Sequence, residues 1–519
     1  VEPRDFRDRL DDDEGEAGYL YLSSRRPWPD DYDELLDRIP EDWIEEHNGE
    51  VRIRSNRRRQ LPQHLNLGTN GHSHPKGQPC VFVQSPFLFC LNCGVTYSPR
   101  QGDYGKLAAL SSEGRSSATT ILSLSAILSL KESDLDQRAQ KLLSFTDNRQ
   151  DASLQAGHFN DFVEVGLLRG AIYRAALDAG PEGLRHETIA QKVFDALHLP
   201  FEAYASEPNA RFQAKQETDY ALRTVLGYRI YRDLRRGWRI TSPNLEQCGL
   251  LEIDYLSLDE LCAAEDVWEA CHPALATASP ATRAKVAKVL LDYMRRELAI
   301  KVDYLDPRFQ ETIKQLSSQR LIDPWAIDEN ENMEYAATLY PRSRRPGDMQ
   351  GNVYVSSRGG FGMYLRRSSV FAEYDRDAHG RIGLQETETI IRELLEALRL
   401  AGLVERVDDP EDDVPGYQLV ASGLRWRAGK GEQSFLDPIR VPQAPEQGGR
   451  TNPFFIHFYQ EVARRLHLLE AREHTAQVPY EERVEREKKF RCGVLPVLYC
   501  SPTMELGVDI AELNVVNMR

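Results

Sequence analysis

The chain has 519 residues, a formal net charge of -16, 41% hydrophobic and 9% aromatic residues. That length exceeds one ordinary domain and predicts about three or four. The acidity excludes a surface that coats nucleic acid throughout and leaves only a local basic groove for such a partner. No run approaches the roughly 18 apolar residues of a membrane helix, and eight Cys without a secretion signal suit a reducing, cytoplasmic setting rather than a disulfide frame.

Residues 1–110 read as an irregular N-terminal region. The opening VEPRDFRDRLDDDEGEAG is acidic, lacks an initiator Met and has no signal pattern. An apolar hairpin is expected at CVFVQSPFLFCLNCGVTY (80–97), around Cys90-Leu91-Asn92-Cys93-Gly94. Two thiolates and a Gly turn suit half of a tetrahedral Zn²⁺ site. The second pair is not evident: Cys80, His72 and His74 are near, while Cys248, Cys262 and Cys271 are distant. Zinc held by Cys90 and Cys93, or reduced and half-buried thiols, are the two readings.

RSSATTILSLSAILSLK (115–131) predicts a helix with Ser/Thr at its start. In KLLSFTDNRQDASLQAGHFNDF, Lys141–Phe145 reads as a short buried strand and Thr146-Asp147-Asn148 as a capping turn, with helical periodicity to Gly180. Residues 181–280 are expected to be helical. Within 281–426, TRAKVAKVLLDYMRRELA (282–299) is a strong amphipathic helix, and residues 384–426 read helix, Gly402 cap, strand, turn, strand, a winged-helix pattern. Residues 427–453 read as a linker, and 454–519 as helix, strand, charged helix and a final strand–loop–strand.

A strand–helix unit at 141–180 and a strand–helix–strand unit at 466–500 both look like parts of one parallel sheet, so the predicted fold is α/β, split by a large, mainly helical insertion. The burial needs of two short apolar strands require them to share that sheet, with the insertion as a separate lobe.

The flanking motifs resemble a known family. KLLSFTDNRQDA is similar to the early strand–turn–helix of the second RecA-like lobe of superfamily 2 helicases, and EHTAQVPYEERVEREKKFRCGVLPVLYCSPTMELGVDI to the later part of that lobe, ending in motif V. SSEGRSSATT and GWRITSPNLEQCGLL resemble, more narrowly, the large bacterial DEAD/DEAH-box helicases of anti-phage systems of the DISARM and Druantia kind. The resemblance implies ATP with Mg²⁺ as cofactor and Gly507 and Asp509 on the ATP side of motif V. It implies Thr146, Arg149 and Thr503 as nucleic-acid contacts, and DNA, with RNA as the alternative, as partner, with other subunits of a defence system possible. It implies no membrane. The chain carries no G-x-x-x-x-G-K-[ST] phosphate loop and no acidic metal-and-base motif, so it reads as the middle of a helicase, cut inside its second motor lobe and inactive alone. The competing reading is a non-enzymatic nucleic-acid or protein interaction module on a RecA-like scaffold.

Four further stretches bear on partners. PRSRRPGDMQGNVYVSSRGGFGMYLRRSS interleaves Arg342, Arg344, Arg345, Arg358, Arg366 and Arg367 with Tyr354, Phe361 and Tyr364. That is the composition of a single-strand channel or of a solvated hairpin; Arg358, Arg366 and Arg367 are the candidate contacts. YRIYRDLRRGWRI and RIRSNRRR are basic runs, the first with a packed-helix stripe. The winged-helix-like segment carries Glu386, Glu388, Glu393 and Glu396 and the tip DDPEDD, which would repel phosphate, so packing or strand separation is expected of it. His158 and His474 read as structural.

Overall fold

The computed structural model describes residues 15–24, 26–47, 50–92, 94–97, 99, 102–103, 106, 115–146, 148–236, 242–327, 331–345, 347–349, 351–407, 414–441, 449–501 and 513–518. Over these the protein is mixed α/β, with one parallel and several antiparallel or mixed sheets. Among them no helix is long and apolar enough to cross a membrane.

The N-terminal region is richer in strands than its composition predicts. Strands β1 (Gly18–Tyr21), β4 (Gln63–Leu67) and β5 (Gln78–Gln84) form an antiparallel sheet in the order β1-β5-β4, and β2 (Ile44–His47) and β3 (Glu50–Ile53) a ribbon. A small core of Trp28, Trp43, Val81, Val83 and Phe89 fills it, distinct from the main core. Trp43 meets the Phe89 ring edge-on at 5.2 Å, a favoured aromatic geometry. Loop-forming residues between very short strands hid this sheet from a composition-based reading.

The parallel sheet is built from two distant parts of the chain. Helix α1 (Arg115–Glu132) precedes β6 (Leu142–Phe145), and helix α2 (Arg149–Asp178) follows it. After a long excursion come α8 (Pro453–Gln460), β15 (Ala471–His474), α9 (Tyr480–Arg491), β16 (Val497–Cys500) and β17 (Val515–Met518). The strand order is β15-β16-β6-β17, all parallel, with Val497 opposite Leu142 and Cys500 opposite Phe145. The two apolar runs expected to share a sheet are thus immediate neighbours. Leu142, Val497 and Tyr499 join the core with α1 and α2, while Leu143, Leu498 and Cys500 pack with Phe490 of α9. Strands covered on both faces are continuous apolar runs for this reason.

The edge strand β15 has its outer backbone groups occupied by a side chain. Asn160 of α2 donates from Nδ2 to the Ala471 carbonyl at 2.9 Å and accepts from the Ala471 N–H at 2.8 Å. Asn160→Leu strands both groups at a half-buried edge, so a loss of about 1–3 kcal/mol is expected, read as a lower denaturant midpoint.

The excursion contains β7 (Leu184–Arg185), α3 (His186–Leu197), α4 (Gln213–Arg236), β8 (Leu251–Tyr255), α5 (Pro280–Arg296), β9 (Ile300–Lys301), α6 (Pro307–Arg320), β10 (Leu339–Tyr340), β11 (Val353–Tyr354), α7 (Leu384–Leu400), β12 (Val404–Val407), β13 (Gly416–Val420) and β14 (Leu424–Ala428). It is itself interrupted. Strand β14 pairs antiparallel with both β7 and β8, with Leu424 opposite Tyr255. Everything between Tyr255 and Leu424 is therefore an insertion within the insertion. The inner part resembles the outer in placing β13 between β9 and β12, as β14 lies between β7 and β8, but it adds β10 and β11 between α6 and α7, with β10 also paired to β13. The two also differ in that β9 runs parallel to β13.

The insertion is not the separate lobe expected of it. Helix α2 has 30 residues, about 45 Å at the α-helical rise. Its first half brings Ala152, Ala156 and Phe159 to the sheet, and its second half brings Leu168, Ile172 and Ala176 to α3 and β14, within one continuous core from Leu124 to Tyr499. Gly166 and Gly170 allow the close approach of the α8 segment: a Cβ on Gly170 would lie 2.7 Å from the Ala463 Cβ. The run YRIYRDLRR is part of a packed helix, with Tyr228 and Tyr231 fully buried and Arg229 paired to Glu164 at 2.9 Å.

Candidate functional site at the carboxyl edge of the parallel sheet

In an open parallel sheet, ligands bind beyond the carboxyl ends of the strands, where successive connections leave in opposite directions. Here the chain leaving β6 eventually reaches β15, on the far side of β16, and the chain leaving β16 crosses to β17, on the far side of β6. The switch point therefore lies between β6 and β16. Thr146, Asn148 and Arg149 after β6, and Ser501 after β16, flank it.

The first rim is tightly specified. Thr146 is 1% exposed. Its N–H donates to the Cys500 carbonyl at 2.9 Å, and its hydroxyl donates to the Asn148 and Cys500 carbonyls at 3.0 and 3.3 Å. Asn148 caps α2 by accepting from the Asp151 N–H at 2.9 Å, which satisfies one of the orphan donors of the first turn. Arg149, the first residue of α2, is exposed. The register places Thr475, Ser501 and Thr146 one residue beyond the paired His474, Cys500 and Phe145, so three buried hydroxyl residues line adjacent strand ends. Thr503, Gly507 and Asp509 follow Ser501 in the chain and lie outside the described residues.

Sequence reasoning missed Thr475 and Ser501, whose alignment depends on strand register. It also missed the partner of His474, whose Nε2 is 2.8 Å from Glu487 Oε1 of α9. His158 likewise has partners: its Nδ1 is 2.9 Å from Thr120 Oγ1, under the same helices. Burial holds the His158 imidazole below its ordinary range, with Asp161 partly opposing the shift. An imidazole with a lowered folded pKa binds fewer protons folded than unfolded, so stability falls as pH drops below the unfolded value of about 6.5. His158→Gln is expected to flatten that loss, measured by denaturant midpoints at about pH 5 and pH 7.5.

Cys500 is buried, and burial pushes its thiol up to about 12, as an unreactive core thiol requires. At the N-terminal hairpin, the Gly94 N–H donates to the Cys90 carbonyl at 2.7 Å and Gly94 takes φ +74, a tight knuckle turn. Cys80 is buried on β5. Cys93 lies outside the described residues; among those described, no group of three or more His, Cys, Asp or Glu is placed to hold a metal ion.

Of the six arginines at 342–367, Arg344 and Arg345 are exposed, and the other four are bonded within the chain. Arg342 forks onto Asp348, with both bonds at 2.9 Å, and Asp348 is held down at about 2 chiefly by those bonds. Arg367 donates to the Pro438 and Ile439 carbonyls at 2.6 and 2.9 Å. Arg358 and Arg366 both reach Asp37 of the N-terminal region. These side chains join segments of the chain, which corrects the picture of an exposed channel of alternating arginines and rings. The acidic face of α7 is similarly occupied. Glu386 caps the Gly383 N–H, Glu388 accepts from Ser357, Glu393 accepts from the His272 N–H and Glu396 accepts from Tyr417. The tip DDPEDD lies outside the described residues. No family model, curated protein or solved structure matches the chain.

Proposed function

We propose that the chain forms part of the second RecA-like lobe of an ATP-dependent nucleic-acid helicase or translocase of superfamily 2, split by a nested insertion. The observation that carries this reading is the parallel pairing of Leu142–Phe145 with Val497–Cys500 across more than half of the chain. With it, Thr146 and Arg149 come to the same switch point as Ser501, which Thr503, Gly507 and Asp509 follow in the sequence. In this reading Thr146, Arg149 and Thr503 serve the nucleic-acid backbone, and Gly507 and Asp509 face ATP and Mg²⁺. Arg149 supports it electrostatically, because a cation at a helix N-terminus opposes the macrodipole and is best tolerated beside an anion.

The α7–β12–β13 unit is a winged-helix-like support in this account, since Glu388 and Glu393 already hold other segments while Glu386 and Glu396 are bonded within the unit and its cap. DNA is the proposed substrate, with RNA as the alternative, and the defence-system setting rests on the motif resemblance alone. The 519-residue chain has no residues to cradle the β- and γ-phosphates. Purified and incubated with ATP and Mg²⁺, it should show no turnover above a buffer blank. Turnover that survives removal of contaminants would overturn the division of catalysis between two lobes.

A further inference from the structure

The seam between the N-terminal sheet and the arginine-rich segment is under-neutralised. Arg358 Nη1 lies 3.4 Å from Asp37 Oδ1 and Arg366 Nη1 lies 3.3 Å from Asp37 Oδ2, so two guanidiniums share one carboxylate. Arg38 sits beside it, donating to the Leu91 carbonyl at 2.7 Å. Arg26 lies near enough to repel both Arg38 and Arg366, adding to the burial that already disfavours their charge. The nearby Glu41 accepts from the Ser343 and Ser356 hydroxyls instead of from an arginine. Among the described residues Arg26, Arg358 and Arg366 thus gather near one carboxylate, Asp37, while Arg38 has Glu34 near it. The Nε groups of Arg38 and Arg366 are buried without a hydrogen-bond partner, a cost the protein ordinarily avoids.

The carboxylate is loosely held. Asp37 is 46% exposed, against 16% for Arg358 and 13% for Arg366. Its contacts are longer than the roughly 2.7–2.9 Å of a strong charge-assisted bond. A half-exposed pair of this length contributes little to stability. The N-terminal region also has its own core, and its contacts with the segment are mainly polar, with Met363 packed over Gly94. The seam can exchange its resident anion without opening the main core.

We infer that this seam is a binding site for a phosphate group, seated on Arg358 and Arg366 in place of the Asp37 carboxylate, with Arg26 and Arg38 at its edge. A phosphate brings more acceptor oxygens and more charge than a carboxylate, and guanidinium forks match it bidentately. The phosphate belongs either to a nucleic-acid backbone or to a small phosphorylated ligand. This site is separate from the sheet edge and does not depend on the motor reading.

The test uses the 519-residue chain. Binding of a fluorescent oligothymidylate is followed by anisotropy, with inorganic phosphate as competitor and, separately, as ligand in a thermal-shift titration. Asp37→Asn removes the resident anion and should tighten binding about tenfold, while Arg366→Lys keeps the charge, loses the fork and should weaken it by a similar factor. Asp37→Ser repeats the first arm should the Asn variant fold poorly. Tight oligonucleotide binding that phosphate barely displaces assigns the site to a backbone phosphodiester, and phosphate binding without oligonucleotide binding assigns it to a small ligand. Unchanged or weaker binding in both Asp37 variants overturns the inference, as does Arg366→Lys binding like the parent. None of these results bears on ATP hydrolysis, so the two proposals fail separately.

Discussion

Arg169→Leu is expected to cost about 3–5 kcal/mol of stability, because it leaves a buried charge and several carbonyls without their donor. Arg169 is 1% exposed and sits in the middle of α2. Its guanidinium holds Asp233 of α4 at 2.8–3.1 Å, the Ser242 and Pro243 carbonyls at 3.1 and 3.2 Å, and the Tyr459 hydroxyl of α8 at 3.0 Å. Tyr459 in turn donates to the Pro243 carbonyl at 2.7 Å. One side chain therefore joins the helix that leaves the parallel sheet, the outer insertion and the helix that leads back to the sheet. Its loss should loosen the return of β15 and β16 to β6. Thermal and urea unfolding would show a lower midpoint, and Arg169→Leu with Asp233→Leu should recover part of the loss, since the unpaired carboxylate goes with it. A single variant as stable as the parent would show that the clamp is replaceable.

In a longer protein that also carries the phosphate loop, Asp509→Ala is expected to reduce nucleic-acid-stimulated ATP hydrolysis by about a hundredfold, the scale of losing one preorganised electrostatic contact at a reacting phosphate. Cys90→Ser should leave the rate per folded molecule nearly unchanged and act on stability or metal content. Asp509 follows in sequence the strand that ends at the switch point, whereas Cys90 packs against the separate core of the N-terminal region. Steady-state rates normalised to folded protein check the contrast, and the reverse pattern would place the working edge elsewhere.

The parts of the fold legible in the sequence are those whose burial is local. Leu142–Phe145 and Val497–Cys500 are short apolar runs because both faces are covered, and the Thr146–Asn148 turn is a capping signal. Helix α5 is amphipathic, and the α7–β12–β13 run reads directly, even to Gly402 at φ +71 after α7. Other features depend on distant partners. The two-residue strands β7, β9, β10 and β11 are too short to carry a period, and β14 owes its place to β8, on the far side of the inner insertion. The arginines were misjudged because their partner is remote: Asp37 lies 321 residues from Arg358. Arg358 and Arg366 have no acid beside them in sequence, whereas Arg342 finds Asp348 six residues on in the same stretch. The separate-lobe expectation failed for a related reason, since nothing local says that a helix will serve two halves of one core.

We propose that the carboxyl edge between β6 and β16 belongs to a nucleic-acid-dependent ATPase. It is tested most directly by the ATP hydrolysis rate of a protein that joins this chain to a phosphate-loop lobe, with no nucleic acid, single-stranded DNA, duplex DNA or RNA. Stimulation of about tenfold or more by at least one of them is expected, with DNA above RNA, and loss of that stimulation in Asp509→Ala. A rate that is the same with and without every nucleic acid, or an absence of ATP hydrolysis, would contradict it.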